Sequence, residues 1–373
     1  MLEIYTKNTQ NKLYDRRAII NLSALQKNYT TIKKICSQEK VLAYVKANAY
    51  GHGLIKIVEK LVSLQVNAVA VSSIAEFMEV KKHFSNLQVV LGSTYYNKEI
   101  IKLVVQHAGD MVIYNSNHID LIAEHTSGHK ITVWLKVNTG MNRMGISPDD
   151  FEYQLTKLLK IKSVHNVIIM SHLASAYDIN TSETYKQREL LQKLSDKYDL
   201  PVSLSNSAAI LKNTIDNFDW VRPGILLYGT SPLATLTNLS GFSKVMTLLS
   251  RIITINFCKK GDRVGYGGTW VARYDSIIAV VAIGYADGYP YNIQEGTPVL
   301  INNKRYPIIG RVSMDVITVD ITADAEEINI GDDVMLWGND LPIEDIAQYA
   351  NTIPYQLLAS VAPFRVNFET IED

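Results

Sequence analysis

Eight short runs rich in Val and Ile recur between Val41 and Gly229, each followed by a longer polar or amphipathic stretch. They are VLAYVKA from Val41, NAVAVSS from Asn67, LQVVLG from Leu87, MVIYN from Met111, ITVWLKVN from Ile131, NVIIMSH from Asn166, PVSLSN from Pro201 and WVRPGILLYG from Trp220. Apolar runs without polar alternation read as strands covered on both faces, as in a parallel sheet. The intervening segments 55–64, 74–84, 98–107 and 183–198 read as helices, the last with Leu190, Leu191 and Leu194 on one face. Ser116 stands where it would cap a further helix. Eight such units in succession predict an α/β fold built on a TIM-type (β/α)8 barrel. A doubly wound open sheet is the alternative, but it seldom needs eight regular units. Ahead of the barrel, RAIINL near Arg17 predicts a strand and SALQKNYTTIKKI a helix.

After Leu239 the texture changes. KVMTLLSRIITINF, SIIAVVAIG, TPVLIN, RYPIIGRVS, VITVDI and DVMLWG are strand-like and joined by Gly, Asn and Asp turns, and only PIEDIAQYA near Pro342 reads as helical. The expected organisation is therefore a barrel with its N-terminal strand over residues 1–239, and a mostly β C-terminal domain over 240–373, without a flexible linker.

The formal net charge is zero and 47% of residues are hydrophobic. This leaves no electrostatic footprint for nucleic acid or anionic lipid. Lys81, Lys82 and His83 read as a solvated helix face. The two cysteines, Cys36 and Cys258, form neither a metal-type spacing nor a disulfide framework. There is no secretory h-region and no apolar run long enough to span a bilayer, so a cytoplasmic protein is expected. No His/Cys/Asp/Glu cluster has metal-ligand spacing, and no Gly-x-Ser-x-Gly elbow is present.

In a (β/α)8 barrel the reactive groups gather at the C-terminal strand ends. That rule selects Lys46, then Asn138, Thr139, Gly140 and Arg143, then His172, Asn206 and Ser207, and finally Arg222, Pro223 and Gly224. Lys46 ends an otherwise apolar strand. Burial lowers an amine's pKa and makes it a nucleophile or Schiff-base former. A lone strand-end lysine reaching solvent is the plainer reading, but the following small-residue turn, Ala47–Gly53, sets the phenol of Tyr50 nearby. Ser207 and Gly224 begin segments whose backbone N–H groups could hold an anion; Ser207 as a simple helix cap is equally compatible. GDRVGYGGTW around Tyr266 reads as a hairpin with an aromatic flank.

YVKANAYGHG around Lys46 resembles the cofactor-lysine signature of the alanine racemases. KVNTGMNRMG, SHLA, SNSAA, RPGILLYG, VGYGGTW, IGYADGYP, GRVSMD and IPYQLL resemble further blocks of that family in order, over nearly the whole chain. The resemblance implies a pyridoxal 5′-phosphate (PLP) enzyme acting on alanine as a homodimer with shared active sites. It implies that Lys46 carries the cofactor and acts as one acid–base group, with Tyr266 of the partner subunit as the other. Tyr50, Ser207, Gly224, Ile225 and Tyr355 would hold the phosphate, with Asn206 in the same cofactor set. Arg222 would meet the pyridine nitrogen with His172 supporting it. Arg143 and the Met314 N–H would receive the substrate carboxylate. Lys136 matches a lysine often carbamylated in the family, which would orient Arg143. D-alanine for peptidoglycan is the implied product. Ser313, Val316 and Tyr291 depart from common family residues, which bears on the approach route and fine substrate preference. The alternatives are a broader-specificity amino-acid racemase, a PLP-dependent decarboxylase, against which Arg222 argues, and a non-catalytic PLP-binding protein, which would lack the β domain.

Overall fold

The computed structural model describes residues 13–372 apart from 127, 129, 178–181, 213–217 and 234–238. The chain divides into two compact units. One spans Gln26–Leu227; the other joins the N-terminal residues up to Leu25 to the chain from Tyr228 onward.

In chain order the first strand is β1 (Arg17–Asn21), and the strands of the Gln26–Leu227 unit follow it. They are β2 (Lys40–Tyr44), β3 (Ala68–Val71), β4 (Val89–Leu91), β5 (Asp110–Ile113), β6 (Ile131–Lys136), β7 (Val164–Met170), β8 (Val202–Asn206) and β9 (Trp220–Arg222). All eight pair in parallel and close into a barrel, as expected from the eight apolar runs. Every residue of β3, β4, β5 and β9 is buried, which is why these strands carry no polar alternation. The interior is filled by Leu42, Ala68, Ala70, Val90, Val112, Trp134, Ile168, Met170 and Trp220, with the two indoles edge to face at 5.1 Å. A filled interior leaves the strand ends as the place for chemistry.

Helices Leu54–Ser63, Ile74–His83, Lys98–Gln106 and Ser182–Tyr198 match the expected segments within a residue. On the last, Gln187 and Leu191 are buried, whereas Leu190 and Leu194 are half-buried. The helix Ser116–His125 is capped by Asn115, whose side chain accepts from the Asn117 N–H; Ser116 is already helical.

The other unit holds β10 (Met246–Cys258), β11 (Arg263–Val264), β12 (Trp270–Val271), β13 (Ser276–Val281), β14 (Pro298–Ile301), β15 (Lys304–Ile309), β16 (Ile317–Asp320), β17 (Asp333–Trp337) and β18 (Asn367–Ile371). Its main sheet runs β13-β16-β15-β14-β17-β10-β1-β18, and β10 also pairs with β13, so the ribbon closes on itself. Pairing is antiparallel apart from β1 with β18.

Two corrections follow. The N-terminal strand was expected with the barrel, but β1 lies between β10 and β18, because its register is set by partners more than two hundred residues away. The two compact units meet at Leu227/Tyr228. The C-terminal region also has a second helix, Pro354–Ser360, beside the expected one at Ile343–Tyr349.

Among the described residues, no helix is long and apolar enough to cross a membrane.

Candidate active site

Lys46 follows β2, and the backbone after it is unusual. Ala47, Asn48 and Ala49 each have φ of 54° and Tyr50 has 52°, all in the left-handed region. Such a conformation costs an L-residue roughly 1–2 kcal/mol. Four in succession persist only where the surroundings fix them. The turn is closed by its own backbone: Ala49 N–H donates to Val45 O at 2.9 Å, and Gly53 N–H to Asn48 O at 3.0 Å. Asn48 Oδ1 accepts from Leu54 N–H at 2.9 Å. His52 Nδ1 lies 2.8 Å from Tyr50 O and 3.0 Å from Ala49 O. Burial pulls the His52 pKa down to about 4, so the ring is neutral and Nδ1–H is the donor.

This turn delivers Tyr50 against the start of the last barrel loop. A Cβ on Gly224 would lie 2.4 Å from Tyr50 Oη, so any side chain there would force the phenol to move. Ser207 Oγ accepts from Gly224 N–H at 2.9 Å and Leu226 N–H at 3.3 Å. Asn206 Oδ1 accepts from Ala208 and Ala209 N–H, both at 3.1 Å. Asn206 is therefore the cap of helix Ser207–Lys212, and Ser207 ties two barrel loops together. Ile225 is fully buried.

Arg222 is buried at the end of β9. Its guanidinium donates to Ser203 Oγ at 2.8 Å, Ser171 O at 2.6 Å and Leu204 O at 3.2 Å. It also reaches His172 Nδ1 at 3.4 Å and hydrogen-bonds the Tyr44 phenol. The partners here are neutral, which burial of a guanidinium does not usually favour. The surroundings are cationic. Burial, then Arg222, Lys136, Arg143 and Lys46, pushes His172 down to about 3, so its ring is neutral and accepts from Arg222. Burial, then Arg222, Arg143 and Lys46, brings Lys136 down to about 8. Burial and the Arg143 charge hold Lys46 below the usual lysine range. Arg143 itself is exposed on a loop organised by Asn138, whose Oδ1 accepts from Gly140 N–H at 3.3 Å and Asn142 N–H at 2.9 Å.

The barrel unit thus gathers Lys46, Tyr50, Lys136, Arg143, His172, Asn206, Ser207, Arg222, Gly224 and Ile225 at its strand ends. Tyr266, Met314 and Tyr355 belong to the other unit. Tyr266 opens a tight turn between β11 and β12 and is 71% exposed; Gly265, Gly267 and Gly268 around it all have positive φ. Met314 is 52% exposed. Its carbonyl accepts from Ala286 N–H at 3.0 Å, and Ser313 O accepts from Tyr285 N–H at 3.1 Å. A fully buried carboxylate, Asp287, pins this pair of loops: it accepts from Gly284 N–H at 2.9 Å and Arg365 Nε at 2.7 Å, and forms an ion pair with Arg16, whose Nε lies 3.0 Å away. Tyr355 is half-buried in helix Pro354–Ser360, and burial pushes its phenol up to about 12. Tyr291 lies edge to face with Tyr285 at 5.7 Å, in a cleft of about 600 Å³.

Several contributors escaped the sequence. Gln187, in the middle of a charged helix, donates to Thr139 Oγ1 at 3.1 Å and to His172 O at 3.0 Å, and accepts from Ala174 N–H at 3.0 Å. Ser171, Ser203 and Tyr44 hold Arg222. A polar residue at helical spacing reads as solvated, so only burial reveals Gln187. Tyr44, as an aromatic in an apolar strand, reads as core.

Known proteins share this fold and sequence. Residues 20–232 match the family model "Alanine racemase, N-terminal domain" and residues 245–369 match "Alanine racemase, C-terminal domain". The alanine racemase of Shewanella oneidensis is 38% identical over 351 residues, 93% of this chain and 97% of that one. The crystal structure of the biosynthetic alanine racemase from Pseudomonas aeruginosa superposes with a TM-score of 0.92 at 34% identity, covering 96% of this chain and 99% of that one. That of Bartonella henselae, with covalently bound pyridoxal phosphate, gives 0.89 at 28%, covering 96% and 99%. With both family models matched in order and the same fold at these identities, the chain belongs to the alanine racemase family.

Proposed function

We propose that the protein interconverts L-alanine and D-alanine with PLP held at the barrel rim, Lys46 serving one face of the substrate and Tyr266 of the partner subunit the other. The observation that carries this is Lys46 itself: a partly buried amine following a barrel strand, where burial and the Arg143 charge hold its pKa below the usual lysine range. The surrounding residues fit the cofactor. Tyr50 Oη, Ser207 Oγ and the backbone at Gly224 and Ile225 converge on one loop, with Asn206 behind it, and suit a phosphate; Tyr355 adds a phenol to that set. Arg222 is a permanent donor facing neutral acceptors, and suits an unprotonated ring nitrogen, with His172 steadying it. When bound, PLP supplies the electron sink that loosens the α-proton.

Racemisation takes a proton from one face and returns one on the other. Lys46 and Tyr266 of the partner subunit do this without turning the substrate over. Arg143 and the Met314 N–H hold the substrate carboxylate. Lys136, near pH 8, is neutral often enough to take up carbon dioxide, and the resulting anion would orient Arg143. Tyr266, Met314, Ile353 and Phe364 are each more than half exposed, which supports a second copy covering this unit in a homodimer. A cytoplasmic enzyme supplying D-alanine for peptidoglycan is the corresponding role.

The test is incubation with each L-amino acid in deuterated water. Alanine should give α-deuterated D-isomer fastest, and borohydride should fix the cofactor to Lys46. A D-isomer from several amino acids at equal rates would favour the broader racemase; an adduct on another lysine would overturn the site.

A further inference from the structure

Glu76 lies in the first turn of helix Ile74–His83, where a glutamate three residues after Ser73 reads as half of a helix cap. Part of that role is present. Glu76 N–H donates to Ser73 Oγ at 3.3 Å, and Glu76 Oε2 accepts from Ser73 Oγ at 3.0 Å and Ser72 N–H at 3.4 Å. The other oxygen does something a cap does not need. Glu76 Oε1 accepts the N–H of Asn48 at 3.0 Å, in the preceding strand–helix unit and in the middle of the left-handed turn.

That turn has Lys46 at one end and Tyr50 at the other, so fixing Asn48 fixes the direction of both. Hydrogen bonds to a carboxylate are about twice as strong as neutral ones, which suits a backbone that L-residues resist adopting. The carboxylate also stands against like charges. Arg143 and Lys136 press on Lys46 as cations from the neighbouring strand ends, and Glu76 is the anion that acts on Lys46 against the Arg143 charge.

We infer that Glu76 is a positioning residue for Lys46, holding the left-handed turn through the Asn48 N–H and setting a negative charge against the cations around the amine. The inference rests on Lys46 as the cofactor-bearing residue.

Amide hydrogen exchange on the full-length, cofactor-bound protein tests it, with equilibrium dialysis of PLP as a second readout. In Glu76→Ala, exchange over residues 46–54 should rise roughly ten- to a hundredfold, as expected for losing a bond to a charged acceptor, with β6 and β7 unchanged and PLP held correspondingly more weakly. Ser73→Ala is the control: it removes the helix cap, so exchange rises at 74–77 while 46–54 stays within about twofold. In Glu76→Gln a neutral acceptor replaces the carboxylate, and exchange at Asn48 should rise about tenfold; this variant decides the matter if Glu76→Ala does not fold. Unchanged protection at 46–54 in the Glu76 variants, or equal loss in Ser73→Ala, overturns the inference. A wild-type protein that makes no D-alanine would sink the racemase reading instead, and leaves the exchange result readable.

Discussion

A phenol at Tyr266 and an amine at Lys46 are not interchangeable if each serves one face of the substrate. Tyr266→Phe should keep PLP and lose most L-to-D turnover, while α-proton exchange from D-alanine, which Lys46 serves, survives better. Equal loss of both, measured in deuterated water, would contradict two bases. A second residue-scale effect concerns stability. Asp110 is buried at the start of β5, accepting from Gln88 Nε2 at 2.6 Å and Thr132 N–H at 3.2 Å, and burial raises its pKa to about 6. The folded protein therefore holds this proton more tightly than the unfolded chain. The associated stability is complete below about pH 4 and is lost as pH rises through 6, up to about 3 kcal/mol. Asp110→Asn should raise the urea midpoint at pH 7 and leave it nearly unchanged at pH 4. A wild-type-like pH dependence in the variant would refute this. Lys46 was legible because a charge closing an apolar strand is costly. Asp110, Gln187 and Glu76 were not, since polar residues at strand starts and on helices are ordinary until their burial is known.

At the scale of elements, the barrel strands were readable because both faces are covered and the apolar runs are continuous. The helix Pro354–Ser360 was not, having seven residues with only Leu357 and Leu358 buried. The left-handed turn gave no sign either: Ala47–Tyr50 contains no glycine, and the conformation comes from bonds made by Asn48, His52 and Glu76. Its close approach to the last barrel loop makes Gly224→Ala informative. The added methyl meets Tyr50 Oη at 2.4 Å and Tyr44 Cβ at 3.7 Å. Overpacking of this kind costs about 1–3 kcal/mol. The thermal midpoint should fall and PLP binding weaken at least tenfold. A variant that binds PLP normally would show that Tyr50 does not help to hold the phosphate.

For the whole molecule, the shared-site proposal predicts complementation. A Lys46→Ala protein and a Tyr266→Ala protein, unfolded and refolded together, should recover roughly a quarter of wild-type activity, because about half the dimers are mixed and each mixed dimer has one site with both bases. No recovery, with mixed dimers verified by mass, would place both bases in one chain. The pairing of β1 with β18 has a consequence for how the polypeptide is made. Arg17 faces Leu249 of β10 on one side and Asn367 of β18 on the other, so β1, the first of the described strands, waits for β10 and, for its second partner, until nearly all of the described chain has been made. At about 5–20 residues per second, that interval is on the order of twenty seconds to a minute. The barrel, contiguous from Gln26 to Leu227, can close during the wait, whereas β1 stays an unsheltered apolar ribbon. Biogenesis is therefore the stage most exposed to misassembly, and chaperone demand should concentrate on the N-terminal strand of nascent chains, not on the barrel that follows it.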